Sequence, residues 1–193
     1  MTIKTDFTDP SGNYDLLSDY VKGRKLRTII DIGAWWGPWT LHWQPHAKKI
    51  EIFEPNKKIL PMLEHNISTY NNCTLHKTAL GDKKGTVSMG YATHSGTNHV
   101  TESQGDIGID TLDSYSFTEV DVVKIDVEGY ELPVLKGGIN TLKKTHAIYI
   151  EVIDELFKFY SYTKEDLFDF LENQDFKFQE QTNNKNLIFI KNI

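Results

Sequence analysis

The chain holds one cysteine, Cys73, in 193 residues, so no intrachain disulfide can form. A lone thiol fits a reducing compartment. Basic residues are not in excess: 21 Lys and Arg stand against 27 Asp and Glu, for a formal net charge of −6. That disfavours a nucleic-acid backbone as the main partner, because gripping phosphates takes a basic patch. No apolar stretch approaches the roughly 20 residues that span a bilayer. The opening MTIKTDFTDPSG is polar and lacks the apolar segment of a secretory signal. Repeats, low-complexity tracts and interdomain linkers are also missing. These absences lead us to expect one domain over residues 1–193, cytoplasmic, without a membrane or nucleic-acid partner.

What is present is an alternation of strand-like and helix-like segments. Tyr14, Leu16, Leu17, Tyr20 and Val21 recur at helical spacing ahead of Gly23, so residues 1–26 read as a helical lead-in. Thr28–Ile32 is apolar without alternation, as in a strand covered on both faces. Pro38–Trp43 reads as a short helix, Lys49–Phe53 as a second strand, and residues 57–70 as a helix with Pro61 near its first turn. Thr74–Ala79 is the expected third strand, Val120–Val127 the fourth and Ala147–Ile153 the fifth. Glu131–Leu142 reads as a helix weakened at Gly137-Gly138, and Thr163 as the cap of a helix over residues 164–173. Phe176–Gln181 and Leu187–Ile190 form an expected closing hairpin. Residues 85–110 are rich in glycine, threonine, serine and asparagine and read as a long irregular segment, with one strand-like piece at Thr86–Tyr91. The pattern predicts an α/β fold: a mostly parallel sheet, helices on both faces, and an antiparallel hairpin at the carboxyl end.

In such a sheet, ligands bind beyond the carboxyl ends of the strands. The ends here deliver Asp31 and Gly33, then Glu54, then Ala79 to Asp82, then Asp126 and Glu128, then Glu151. Gly33 and Gly37 bracket a turn that leads into a helix N-terminus. Glu54 follows Gly33 by 21 residues (54 − 33), at the end of the next strand. That is the place of a carboxylate that accepts both ribose hydroxyls of a nucleotide. The loop is G-x-x-x-G after an acid, not G-x-G-x-x-G. An acid at position 31 repels a pyrophosphate and suits a sulfonium and an amino group, which tilts the reading toward S-adenosylmethionine. A nicotinamide-dependent oxidoreductase shares the sheet and Glu54 and stays open, as does a non-catalytic binding module of the same fold.

The stretches DIGAWWGPWT, IFEP, ALGD and IDTLDSYSFTEVDVVKIDVEGYELPVLKGG resemble the FkbM-type family of S-adenosylmethionine-dependent methyltransferases. The resemblance runs from about Thr28 to Glu151, and KIDVEGYE is its most specific part. It implies a Rossmann-like class I fold with a seven-stranded sheet, and O-methylation of a hydroxyl on a sugar or small metabolite. Carried over, Asp31, Gly33, Ala34, Trp35 and Gly37 form the loop on the methionine side and Glu54 binds the ribose. Ala79, Leu80 and Asp82 lie near the adenine, and Asp126 lies beside the methionine and the acceptor. Trp35 departs from the family, which commonly has asparagine there. Its indole can meet a sulfonium by a cation–π contact, whereas Trp39, within the helix, is expected to pack against the N-terminal helix.

Taking a proton from a hydroxyl needs a base whose pKa lies near ambient pH. Asp126, Glu128 and Glu151 are the candidate catalytic group, since crowded carboxylates raise one another's pKa. His94 and His99, in the 85–110 segment, are candidate acceptor contacts, or simply polar loop residues. Lys124 lies two residues before Asp126, on the same strand face, where it can pair with a carboxylate. The same acids suit Mg²⁺ or Ca²⁺, but our expectation is a site without metal.

Overall fold

The computed structural model describes residues 13–90, 98–101, 103–182 and 185–192. In chain order it contains α1 (Asn13–Val21), β1 (Leu26–Ile32), α2 (Pro38–Trp43), β2 (Ala47–Phe53), α3 (Leu60–Ile67), β3 (Cys73–His76), β4 (Ala79–Leu80), β5 (Gly85–Gly90), β6 (His99–Thr101) and β7 (Ile107–Asp110). The chain continues with β8 (Val120–Ile125), α4 (Glu131–Lys136), α5 (Ile139–Leu142), β9 (Thr145–Glu151), α6 (Asp154–Phe157), α7 (Lys164–Asn173), β10 (Phe176–Gln181) and β11 (Asn186–Lys191).

Seven strands make the main sheet in the order β10-β11-β9-β8-β1-β2-β3. β9, β8, β1, β2 and β3 run parallel, and the hairpin of β10 and β11 is antiparallel to β9. The chain winds outward from β1 through β2 to β3, then returns to β8 on the other side of β1. The connections that leave the adjacent strands β1 and β8 therefore run to opposite faces, which opens a crevice beyond their carboxyl ends. Both faces of the sheet are covered, which is why its strands are apolar without alternation. On one face, Leu17, Trp39, Trp43, Leu63 and Ile67 pack on Ile29, Ile50, Val122 and Tyr149. Trp39 shares that cluster with Leu17 of α1, as its position in a helix suggested. On the other face, Ile30, Ile32, Val123, Ile125 and Ile148 meet Leu132, Leu135, Leu142, Leu167 and Leu171 from α4, α5 and α7. At ~25 cal/mol per Å², two such layers are the main driving force for folding. Thr163 caps α7 with the reciprocal Thr163–Asp166 bonds its sequence predicts.

Two expectations are corrected. The third strand is not continuous over Thr74–Ala79. It stops at His76, and Ala79–Leu80 leaves the main sheet to pair with β7. Nor is 85–110 irregular throughout. β5, β6 and β7 join β4 in a second sheet of order β4-β7-β5-β6. Its strands put Val87, Val100, Ile107 and Ile109 onto the α4 side of the core. Each strand is too short, with one or two inward residues, for a period of two to stand out in the sequence. No helix among the described residues is long and apolar enough to cross a membrane.

The expected helix over Glu131–Leu142 is two helices, broken at Gly137–Gly138. The break lets the backbone there touch the loop after β4. A Cβ on residue 137 would lie 1.9 Å from the carbonyl oxygen of Gly81. Gly137→Ala therefore forces the two loops apart and costs about 1–3 kcal/mol. Urea unfolding reads this as a lowered midpoint, and an unchanged midpoint would contradict the contact.

Candidate active site

The crevice is built on a backbone contact between the ends of β1 and β8. Gly33 has φ 75°, and a Cβ there would lie 1.8 Å from the backbone oxygen of Asp126. Only glycine tolerates both conditions. The Asp126 amide donates to the Ile32 carbonyl at 3.1 Å, closing the same junction. The loop continues through Trp35 at φ 53° and Gly37 at φ 93° before Pro38 starts α2. Trp35 occupies the left-handed region, where asparagine is several-fold favoured over a bulky residue. The aromatic departure noted in the sequence thus sits on strained backbone.

Glu54, at the end of β2, is buried. One carboxylate oxygen accepts the Trp35 amide at 2.8 Å and the other accepts the Asn56 amide at 2.8 Å. Burial pushes its pKa up to about 7, against the opposing pull of those amides. Glu54 forms part of the wall of a cavity of about 240 Å³. Gly33, Trp35, Phe53, Ala79 and Leu80 share that end of the cavity, and Asp126, Glu128 and Glu151 line it further along the strand ends. Met89, Asn98 and Val100, from β5 and β6 and the residue before β6, line it as well.

Asp126, Glu128 and Glu151 come together: one carboxylate oxygen from each lies within 4.8 Å of the others. Glu128 is at φ 56° and Gly129 at φ 99°, a sharp bend that turns the Glu128 side chain back toward β9. Behind them Glu131 is fully buried and accepts the Val127 amide at 3.2 Å and the Gly129 amide at 3.0 Å, so it holds the bend. Tyr162 lies 3.1 Å from the same carboxylate. Burial, then the negative charges of Asp126 and Glu131, push Glu128 up to about 7. Burial, then the charges of Asp126, Glu128 and Glu131, push Glu151 further above the usual carboxylate range, and it shares a hydrogen bond with Asp126.

Asp31, expected beside the methionine end of the ligand, does not line the cavity. It is 0% exposed. Pairing of β1 with β8 sets it opposite Lys124. One carboxylate oxygen accepts the Thr40 hydroxyl at 2.6 Å and the other lies 3.2 Å from the Lys124 ammonium. Ala34 is buried in the α2 face of the core, and neither it nor Gly37 forms part of the cavity wall. Asp82 is exposed outside the cavity. His99 lies on β6 with its ring stacked on Phe159 at 6.1 Å, and its neighbours Asn98 and Val100 are the ones that line the cavity. His94 falls outside the described residues. Sequence reasoning missed Phe53, Asn98, Met89, Val100 and Tyr130 in the wall, and Glu131 behind it. Glu131 alone had a signal, the acid of a KIDVEGYE stretch already dense in acids.

The raised carboxylates set the sign of a pH effect. Unfolded glutamates titrate near 4.5, whereas Glu128 and Glu151 hold protons to higher pH when folded. The folded chain therefore binds more protons, and its stability falls as pH rises through that interval. The thermal midpoint is expected to drop between about pH 5 and 8. Glu151→Gln flattens that slope and raises the midpoint at pH 8 by a few degrees. A variant slope as steep as the native one would contradict the assignment.

A family model described as the Methyltransferase FkbM domain matches residues 31–178. A protein described as 2-O-methyltransferase NoeI, from Sinorhizobium fredii (strain NBRC 101917 / NGR234), is 26% identical over 154 residues, which is 66% of this chain and 63% of that protein. The chain thus spans less than two thirds of this relative. Methyltransferase FkbM from Methylobacillus flagellatus KT superposes with a TM-score of 0.59 at 16% identity, covering 86% of this chain and 44% of that one. N-methyltransferase NodS from Bradyrhizobium japonicum WM9, in complex with S-adenosyl-l-homocysteine, gives 0.57 at 11% identity over 94% of this chain and 86% of that one. The two structures share the class I methyltransferase fold with this chain. With most of its length matched by the family model, the chain belongs to the FkbM methyltransferase domain family.

Proposed function

We propose that the chain transfers a methyl group from S-adenosylmethionine to a hydroxyl of a sugar or small metabolite. The observation that carries this reading is one cavity lined both by a buried, amide-anchored carboxylate, Glu54, and by the carboxylate group of Asp126, Glu128 and Glu151. The wall residues fit the donor. Glu54 has lone pairs left for a vicinal diol, and Phe53, Ala79 and Leu80 offer an apolar surface to a planar base. Acids at positions 126, 128 and 151 suit an ammonium group and an acceptor hydroxyl. The resemblance to NoeI, described as a 2-O-methyltransferase, supports oxygen as the acceptor atom.

When bound, S-adenosylmethionine supplies an electrophilic methyl whose leaving group is a neutral thioether. The protein's own work is then positioning and proton removal. The β1 loop and Glu54 hold the nucleoside end, and enclosure by β5 and β6 limits water. Holding two reactants in line contributes several kcal/mol without any acid or base. Glu128 takes the hydroxyl proton: its pKa of about 7 matches ambient pH, the optimum for a general base. Asp126 lies 3.5 Å from the Lys124 ammonium and takes the donor's amino group. Glu151, keeping its proton, donates a hydrogen bond to Asp126 and so holds a third negative charge out of the group.

Glu54→Gln removes the charge that binds the diol and is expected to weaken S-adenosylmethionine binding about ten- to hundredfold. Glu128→Gln is expected to slow turnover by about 10²–10⁴ while leaving that affinity within about threefold. Calorimetry with S-adenosylmethionine, with NAD as control, and mass gain of one methyl on hydroxylated acceptors read the two effects. Binding of NAD in preference, or full turnover in the Glu128 variant, would contradict the reading.

A further inference from the structure

The mechanism above leaves one buried charge without a task. Lys124 is 5% exposed, and buried lysines are rare unless paired. Its ammonium lies 3.2 Å from Asp31 and 3.5 Å from Asp126. It also donates to the Gly33 carbonyl at 2.6 Å and approaches the Ile32 carbonyl at 3.4 Å. Four groups on two strands thus converge on one side chain. Asp31 belongs to the core, and Asp126 belongs to the cavity. Gly33 is the hinge of the loop between them, with its Cα against the Asp126 backbone.

A buried ammonium has three N–H groups to satisfy, and here they are directed at Asp31, Asp126 and the carbonyls at the end of β1. The shortest of its contacts is to Gly33, at the residue where the loop leaves the strand. From that point the next amides are directed onward: Gly33 and Ala34 donate to the Phe53 carbonyl at 2.9 Å and 3.3 Å, and Trp35 donates to Glu54. The carbonyl that Lys124 holds therefore fixes the Gly33–Ala34 peptide plane, which directly precedes the plane carrying the Trp35 amide that orients the Glu54 carboxylate. Trp35 presents that amide from a left-handed conformation, which is costly for a bulky side chain.

We propose that Lys124 is a positioning residue for cofactor binding: by holding the Gly33 carbonyl and Asp126 together, it sets the loop that aims Glu54 at the nucleoside. This rests on the S-adenosylmethionine reading above. The effect runs through backbone geometry, not through the charge on the cofactor.

Removing Lys124 alone would strand Asp31 as a buried, unpaired charge, which is strongly destabilising. The test therefore uses the double variant Asp31→Asn/Lys124→Met, which removes both charges, with Asp31→Asn alone as its partner. The probe is S-adenosylhomocysteine, whose sulfur is neutral. Three quantities are read: thermal midpoint, amide hydrogen exchange at Gly33 and Trp35, and calorimetric affinity. The double variant is expected to melt within a few degrees of the native chain. Its two loop amides are expected to exchange at least tenfold faster, and its affinity to fall at least tenfold. Asp31→Asn, which keeps Lys124 on Gly33, is expected to retain slow exchange and affinity within about twofold. Native exchange and affinity in the double variant would overturn the inference, leaving Lys124 as charge balance. So would an equally loosened loop in Asp31→Asn alone, which also decides the matter if the double variant does not fold. A native chain that binds no S-adenosylhomocysteine would sink the cofactor reading instead, and the exchange rates would still judge Lys124.

Discussion

The structure depends on one close approach, the backbone of Gly33 against the backbone of Asp126. Two parallel strands separated by more than ninety residues end there within van der Waals reach, and a methyl group on residue 33 would fill the gap. The two segments that leave this point carry much of the site. The β1 loop carries Trp35 toward Glu54, and the β8 end carries Asp126 and Glu128 toward Glu151. The contact also explains why the acids around it are tolerated. Asp31 and Asp126 face a common ammonium, and Glu131 is satisfied by two backbone amides. Burial and the neighbouring charges push Glu128 and Glu151 above the usual carboxylate range, which eases the crowding. Buried charges that are neither paired nor neutralised are too costly to persist.

The arrangement separates two jobs that a glance at the strand ends would merge. Acids whose backbone sits inside the sheet, such as Asp31, bond to other parts of the protein. Acids one to three residues beyond the last paired position of β8, Asp126 and Glu128, reach the cavity. Depth along the strands makes that distinction, because Asp31, Lys124 and Asp126 share one face of the sheet. Asp31 pairs in register with Lys124, deep in the sheet, whereas Asp126 is the first residue past the end of β8.

Much of this was legible in the sequence, for identifiable reasons. The β-branched run before Gly33, the proline that opens α2, and the spacing from Gly33 to Glu54 are local signals, and local signals survive folding. The carboxylate group was legible because parallel strands deliver their carboxyl ends to one side. For Asp31 the sequence shows an acid near a strand end but not how deep in the sheet it lies. The pairing partner, Lys124, held that information and lies 93 residues away (124 − 31). The second sheet escaped notice because strands of two to six residues, each with one or two inward side chains, carry almost no period. For the same reason Met89, Asn98 and Val100 could not be foreseen in the cavity wall. Trp35 was correctly seen as odd, but its cause is a backbone angle, which no composition reveals.

The central claim is that this cavity holds a nucleoside with its ribose on Glu54 and its sulfur toward the Asp126 group. A crystal structure with S-adenosylhomocysteine bound tests it most directly. The account predicts both ribose hydroxyls within hydrogen-bond distance of the Glu54 carboxylate, the adenine beside Phe53 and Leu80, and the sulfur facing Asp126 and Glu128. A ligand whose ribose sits away from Glu54, or whose sulfur points away from the three carboxylates, would contradict it.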